Sequence, residues 1–453
     1  MREIDRTAST GNGRLREEGG LDSVSKRRGL DRRGVLRATG GGALGVALSG
    51  CLDVLGVAGS DEGSGPIRIG VLGPDPRRDP MGRSISQTAQ LAAEQWNDEG
   101  GLLGRDVEVV TGDTKGSPLE ARRAYHKLIL DDNVDVTMGI TESLVMEHLL
   151  DEIAKFETLH FTTGATGYAA TDRIRGNYDL NRFHFRTMLN DNQLVGNLYQ
   201  AIAELFPQIG WESAAVIGEA YPWTEQVVDA FAGEMPNLGV EVTMHRRYPP
   251  QIDSFVGMYE EIETTGADAA WVAMAHTGDE ALLDWAREQP SFGFAGIHVP
   301  MQLPTYWEIV NGACEYAMTT QSATAESDIT PVTTQYATDY QQAFDGELPV
   351  YTGYLTYNAL LLYKEAVEAA DSFEEDDVIE QLLQLDLEGT TGEFSFHGPD
   401  DPFPHDPAWD PEDPESPGSI LVQWQGDGSG GGTQEVIWPN HIATADYQTP
   451  SWI

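Results

Sequence analysis

Ile67-Arg68-Ile69-Gly70-Val71-Leu72 decides the fold. Four apolar residues around a single charge read as a strand buried on both faces, and the helical spacing of Ile85, Ala89, Ala92 and Trp96 places a helix over residues 84–97 behind it. Outward from there, residues 107–111 are predicted as a strand and 118–130 as a helix with Ser117 as its N-cap. A strand over 134–140, a helix over 144–156 and a strand over 159–162 follow. Regular βα alternation with apolar strands means a parallel sheet covered on both faces.

The rhythm restarts with helices at 193–206, 224–234, 255–264 and 280–288 and strands at 213–217, 241–247 and 269–273. Two α/β lobes are therefore expected, with their boundary near residues 187–193. Helices over 334–344, 354–370 and 378–385 come later, and residues 399–418, dense in Pro and Asp, exclude regular structure. A last strand is expected at 420–424.

The 453 residues suit two domains. With 28 basic against 73 acidic residues and 40% hydrophobic, the chain is globular and strongly acidic, at a formal net charge of −45. Only five residues are lysine, a poverty that resembles proteins of organisms living in near-saturating salt. At a Debye length of about 3 Å in 1 M salt, surface carboxylates repel one another weakly while their hydration keeps the surface soluble. Nucleic acid is excluded as a partner, because such a surface releases no counterions from a polyanion.

The first fifty residues read as an address. Arg32 and Arg33, followed by Gly34-Val35-Leu36-Arg37, fit a twin-arginine export signal, and the Gly/Ala-rich stretch after them is too short to span a membrane. Leu48-Ser49-Gly50-Cys51 fits a lipobox, in which the Cys51 thiol becomes the lipid thioether. Gly40-Gly41-Gly42-Ala43-Leu44-Gly45 matches GxGxxG only in letters, since no strand precedes it. Cleavage before Cys51 leaves a net charge of −49 and a flexible tether over residues 52–65. Cys314 is then a lone thiol, read as a small packing residue.

Several landmarks in order resemble a known family. They are residues 67–73 with Gly82-Arg83, Ala92-Ala93-Glu94-Gln95-Trp96-Asn97, Gly100-Gly101-Leu102-Leu103-Gly104-Arg105, Asp113-Thr114, Gly164-Ala165-Thr166, Phe185-Arg186-Thr187, Tyr248-Pro249-Pro250 and Val422-Gln423-Trp424-Gln425. Together, over residues 66–438, they resemble the solute-binding proteins of the leucine/isoleucine/valine type that feed ABC importers, which also include amide and urea binders. The resemblance implies a type I periplasmic binding protein fold: two doubly wound α/β lobes with mainly parallel sheets, joined by three hinge crossings. Lobe one would be 66–188 plus 322–414 and lobe two 189–321 plus 415–453.

The resemblance also implies a site between the lobes. Thr141 or Ser143 and Ala165-Thr166 match the positions that hold a ligand carboxylate, Tyr221 matches the aromatic cap with Trp223 beside it, and His276 stands where the family has a tyrosine. Gln302 ends the segment after which the family carries the glutamate that pairs a ligand ammonium. A buried ammonium without a counter-charge costs several kcal/mol, so either another acid substitutes, such as Glu219 or Asp279, or the ligand is an amide, a urea-like molecule or a carboxylate. The implied partners are a small-molecule ligand, ABC permease and ATPase subunits, and the membrane through a lipid anchor. A monomer with no cofactor and no metal is expected.

An enzyme is the rival class. No GxSxG elbow, P-loop, HExxH or CxxC occurs in the chain, and His397, His405 and Asp406 in a Pro-rich loop offer no spacing that implies metal geometry. A third class, a ligand-sensing module, would need a signalling partner.

Overall fold

The computed structural model describes residues 65–413 and 415–453; Arg32, Arg33 and Cys51 lie outside the described residues. Strands β1 (Ile67–Gly73), β2 (Val107–Asp113), β3 (Val136–Gly139), β4 (His160–Thr162) and β5 (His184–Arg186) form one parallel sheet in the order β2-β1-β3-β4-β5. Only Arg68 of β1 lies outside the buried class, as expected for a strand with helices on both faces. A second parallel sheet has the order β7-β6-β8-β9, from β6 (Ser213–Glu219), β7 (Glu241–Tyr248), β8 (Ala269–Met274) and β9 (Gly293–His298).

Beside the second sheet lie antiparallel strands β10 (Met318–Gln321), β13 (Ile420–Gly426) and β14 (Gly432–Trp438); β11 (Leu387–Gly389) and β12 (Gly392–Phe394) pair as a hairpin. Helix Tyr351–Ala370 packs into the core of the first sheet, whereas Met318, Leu421 and Trp438 pack into that of the second. The chain therefore passes between the two cores three times. Thr187, Ser322 and Gly418, one from each passage, line a single small cavity with Leu355.

Local chemistry explains where elements start. Helix Pro80–Asp98 begins ahead of its apolar stripe because Asp79 caps it, its Oδ1 accepting from the N–H groups of Met81 at 3.0 Å and Gly82 at 3.1 Å, with Pro80 in the first turn. Ser117 occupies the N-cap of helix Pro118–Leu130 but makes no side-chain capping bond. Asn190 and Gln193 form a reciprocal capping box at the start of helix Asp191–Ile209. Among the described residues, no helix is long and apolar enough to cross a membrane.

The described residues of 399–418 form no helix or strand, as their prolines predict, yet the segment is anchored. Asp406, 1% exposed, pairs with the equally buried Arg186 at 3.0 Å and accepts from Thr171 Oγ1 at 2.6 Å and Asn190 Nδ2 at 2.8 Å. Gln193 Nε2 donates to the Pro407 carbonyl at 2.7 Å, carrying the segment from the first sheet onto helix Asp191–Ile209.

Three histidines stand at the same place. His160 and His184 stack with ring centroids 5.9 Å apart, and His405 Nδ1 lies 3.0 Å from the His184 carbonyl oxygen. Burial pushes His160 down to about 3 and His405 to about 4, and holds His184 well below its ordinary value. The folded chain thus keeps these rings neutral while the unfolded chain protonates them below about pH 6.5, so their contribution is complete above that pH and is lost as pH falls towards 4. His405→Gln should flatten the stability profile between about pH 6.5 and pH 4 by about 1.4 kcal/mol per unit. Urea midpoints checked against the wild type test this; parallel profiles would exclude His405.

Candidate ligand-binding cleft

In a sheet of order 2-1-3-4-5 the crevice opens beyond the carboxyl ends of the first and third strands, where the winding reverses. Here those ends are Gly73 of β1 and Gly139 of β3, and their counterparts in the second sheet are Glu219 of β6 and Met274 of β8. Gly139 has φ 122°, and a Cβ there would fall 1.9 Å from the Leu72 carbonyl oxygen, so β3 ends against β1 only because the residue is glycine. Ile140 follows at φ 67°, costly for a β-branched side chain. Its N–H donates to Leu72 O at 2.9 Å and its carbonyl accepts from the N–H of Ala165 at 3.2 Å.

Thr141 and Glu142 come next, and both carry an enclosed polar atom without a partner: Thr141 Oγ1 and Glu142 Oε2. Burial raises the Glu142 carboxyl above the usual carboxylate range; the Thr141 hydroxyl opposes this without a hydrogen bond of standard geometry, Asp79 adds to it, and His276 opposes it. His276 follows β8, so a group from the second sheet acts on a carboxylate of the first. Tyr351 is buried too, and its phenol is raised by burial first and then by Glu142 and Asp79.

Across the cleft, Tyr221 stacks on His276 with ring centroids 4.1 Å apart and planes at 16°. The imidazole is oriented from below: Nδ1 lies 2.7 Å from Glu219 Oε1, and the His276 N–H donates to Glu219 Oε2 at 2.9 Å. Trp223 Nε1 at 2.9 Å and Thr277 Oγ1 at 3.1 Å also donate to Glu219. Burial pushes the Glu219 carboxyl up, but the His276 and Trp223 bonds outweigh it, and its pKa lies below the usual carboxylate value. Asp279 is likewise engaged, accepting from the Tyr306 hydroxyl at 2.7 Å.

The residues singled out in the sequence thus fall into two groups. Thr141, Tyr221 and His276 stand at the strand ends with polar or aromatic surface to offer. Ser143 is the first helical residue of Ser143–Phe156, and its Oγ accepts from the Gly167 N–H at 3.0 Å, bracing the loop that carries Thr166. The Ala165 N–H is spent on Ile140 and its carbonyl accepts from Arg186 Nη1 at 3.2 Å, while the Thr166 carbonyl accepts from the Asp191 N–H at 2.9 Å. Trp223 is part of the Glu219 network. Gln302, 7% exposed, donates to the Thr320 carbonyl at 2.8 Å.

Glu142, Asp79 and Tyr351 were not singled out. Glu142 lies between Thr141 and Ser143, both implied by the family resemblance, and that adjacency is the signal the sequence offers. Cys314 is fully buried in the second core, where burial pushes its thiol up to about 12. Among the described residues, no cluster of three or more His, Cys, Asp or Glu side chains is placed to hold a metal.

Two parallel sheets with their switch points turned to a shared polar cleft define a two-lobed binding protein of the type I periplasmic binding protein fold. The chain belongs to the periplasmic binding protein family, whose model matches residues 66–409. It is similar to Leu/Ile/Val-binding protein homolog 1 of Brucella abortus, 25% identical over 232 residues, or 51% of this chain and 59% of that protein, so the match spans less than two-thirds of the relative's length. Among solved structures it is similar to the branched-chain amino acid transporter substrate binding protein LivJ of Streptococcus pneumoniae in complex with isoleucine (TM-score 0.66, 16% identity, 83% of this chain and 100% of that one). A solute binding protein of an ABC transporter from Rhodopseudomonas palustris, in complex with 3,4-dihydroxybenzoic acid, gives a TM-score of 0.66 at 16% identity, over 85% of this chain and 98% of that one.

If Tyr221 caps the ligand, Tyr221→Ala should weaken binding by about 1–3 kcal/mol. Calorimetric affinities for wild type and variant check this, and equal values would leave Tyr221 as packing for His276.

Proposed function

We propose that this protein captures one small nitrogen-bearing solute, an amino acid, an amide or a urea-like molecule, for an ABC importer by hinge closure. The observation that carries the reading is the pair of enclosed, unpartnered acceptors, Thr141 Oγ1 and Glu142 Oε2, opposite the Tyr221–His276 stack. A buried acceptor left unpaired costs about 1–3 kcal/mol, and a solute N–H removes that cost. The substitutes expected for the missing ammonium partner, Glu219 and Asp279, are already bonded within the protein, which leaves Glu142 for the ligand. The first-turn N–H groups of helix Ser143–Phe156 suit a carboxylate beside it, so one helix end reads both ends of a zwitterion.

The family supports a binding role over an enzymatic one. Export through Arg32 and Arg33 and a lipid on Cys51 belong to the same proposal, keeping the captured solute near a membrane permease. A Cys51→Ser chain should then bind solute normally and appear in the medium, as immunoblots of cell and medium fractions will show; retention on the cell would remove the anchor from the proposal.

Calorimetry with L-leucine, acetamide and urea, paired with small-angle scattering, tests capture. One solute per chain with a smaller radius of gyration is expected. Turnover of a probe would favour an enzyme, and no binding across the panel would sink the reading.

A further inference from the structure

The Glu219 carboxylate is fully buried, and among the described residues four groups bond it. Its Oε1 lies 2.9 Å from Trp223 Nε1 and 2.7 Å from His276 Nδ1, and its Oε2 lies 2.9 Å from the His276 peptide nitrogen and 3.1 Å from Thr277 Oγ1. An indole N–H and a peptide N–H can only donate, so each oxygen faces an obligate donor. Burial raises this carboxyl, the His276 and Trp223 bonds bring it below the usual carboxylate range, and at neutral pH it has no proton to give. Nδ1 therefore carries the imidazole proton, and in the neutral ring the lone pair falls on Nε2. Among the described residues Nε2 is neither bonded nor enclosed, and the His276 side chain is 46% exposed. Tyr221 stacks on a face of the ring, which leaves this in-plane lone pair open.

We propose that Glu219 is a positioning residue that fixes His276 as the Nδ1–H tautomer, and that His276 Nε2 accepts a hydrogen bond from an N–H of the captured solute. His276 follows β8 at the carboxyl end of the second sheet, where the cleft opens. This role rests on the capture reading and narrows the solute: the second lobe meets it with an acceptor, as Glu142 does in the first. An ammonium, a primary amide or urea carries an N–H for each lobe. A solute oxygen on this side would set its own lone pair against that of Nε2, which counts against a solute that offers only carboxylates.

Nitrogen NMR of the full chain, isotope-labelled at histidine, tests both halves, with His276 assigned by its loss in His276→Phe. In the free wild type, Nδ1 should show the shift of a protonated imidazole nitrogen and Nε2 that of a bare one. Glu219→Ala, checked for folding by circular dichroism, should bring the two shifts together as the tautomers interchange. Whichever of L-leucine, acetamide and urea binds should move the Nε2 shift at saturation. The same probe should bind about tenfold more weakly to His276→Phe, whose ring can still stack on Tyr221. A protonated Nε2 in the free chain, shifts that stay apart in folded Glu219→Ala, or an Nε2 shift unmoved by a bound probe overturns the proposal and leaves capture standing. Binding by none of the three sinks the capture reading, and this role falls with it.

Discussion

Replacing Arg186 by methionine is expected to lower stability by about 3–5 kcal/mol, because it strands the Asp406 carboxylate at a site where both side chains are 1% exposed. The loss reaches beyond the pair, since Nη1 and Nη2 of Arg186 also hold the carbonyls of Ala165 and Gly167 at 3.2 and 3.0 Å. Adding Asp406→Asn to Arg186→Met should recover part of the loss: an amide oxygen still accepts from Thr171 and Asn190 and carries no charge to be paired. Urea unfolding of the two single variants and the double variant measures the coupling. Strictly additive losses would mean that the ion pair contributes nothing beyond packing.

Glu142→Gln is expected to weaken an ammonium-bearing probe such as L-leucine by about 2–5 kcal/mol, the range found when one partner of a buried charge pair is truncated. A neutral amide probe should lose far less, because glutamine keeps an acceptor oxygen. Since burial raises the Glu142 carboxyl, lowering the pH should neutralise it before an ordinary glutamate, and affinity for the ammonium probe should fall with it. Calorimetry of both probes at two pH values checks the pair of claims. Equal losses for leucine and acetamide would show that the charge of Glu142 is not what the solute meets.

The parallel sheets were legible because burial on both faces demands apolar runs, and β1, β6 and β8 are such runs. The strands that escaped are those that break the pattern. β5 is three residues, His184–Arg186, and reads as polar; β9 contains Gly293 and Gly296, the latter at φ 130° where a Cβ would meet Val272 O at 2.3 Å. β10 and β14 lie on the antiparallel sheet, where pairing with β13 supplies what propensity does not. In the cleft, Thr141, Tyr221 and His276 were picked out by the family resemblance, and they stand at the strand ends. That Ala165, Trp223 and Gln302 already have partners was not legible, because those partners are distant in sequence.

The sequence by itself determined the α/β class, the two-lobed rhythm and the strand ends where a cleft must open, since each follows from local periodicity and the handedness of βα units. Tertiary structure alone decided which carboxylates are spent and which are free. Glu219 is satisfied by His276, more than fifty residues away, and Asp406 by Arg186, while Glu142 keeps an unpartnered oxygen. The physical reason is that a carboxylate's availability depends on the donors and the dielectric that folding brings around it, and neither is encoded in its neighbours along the chain.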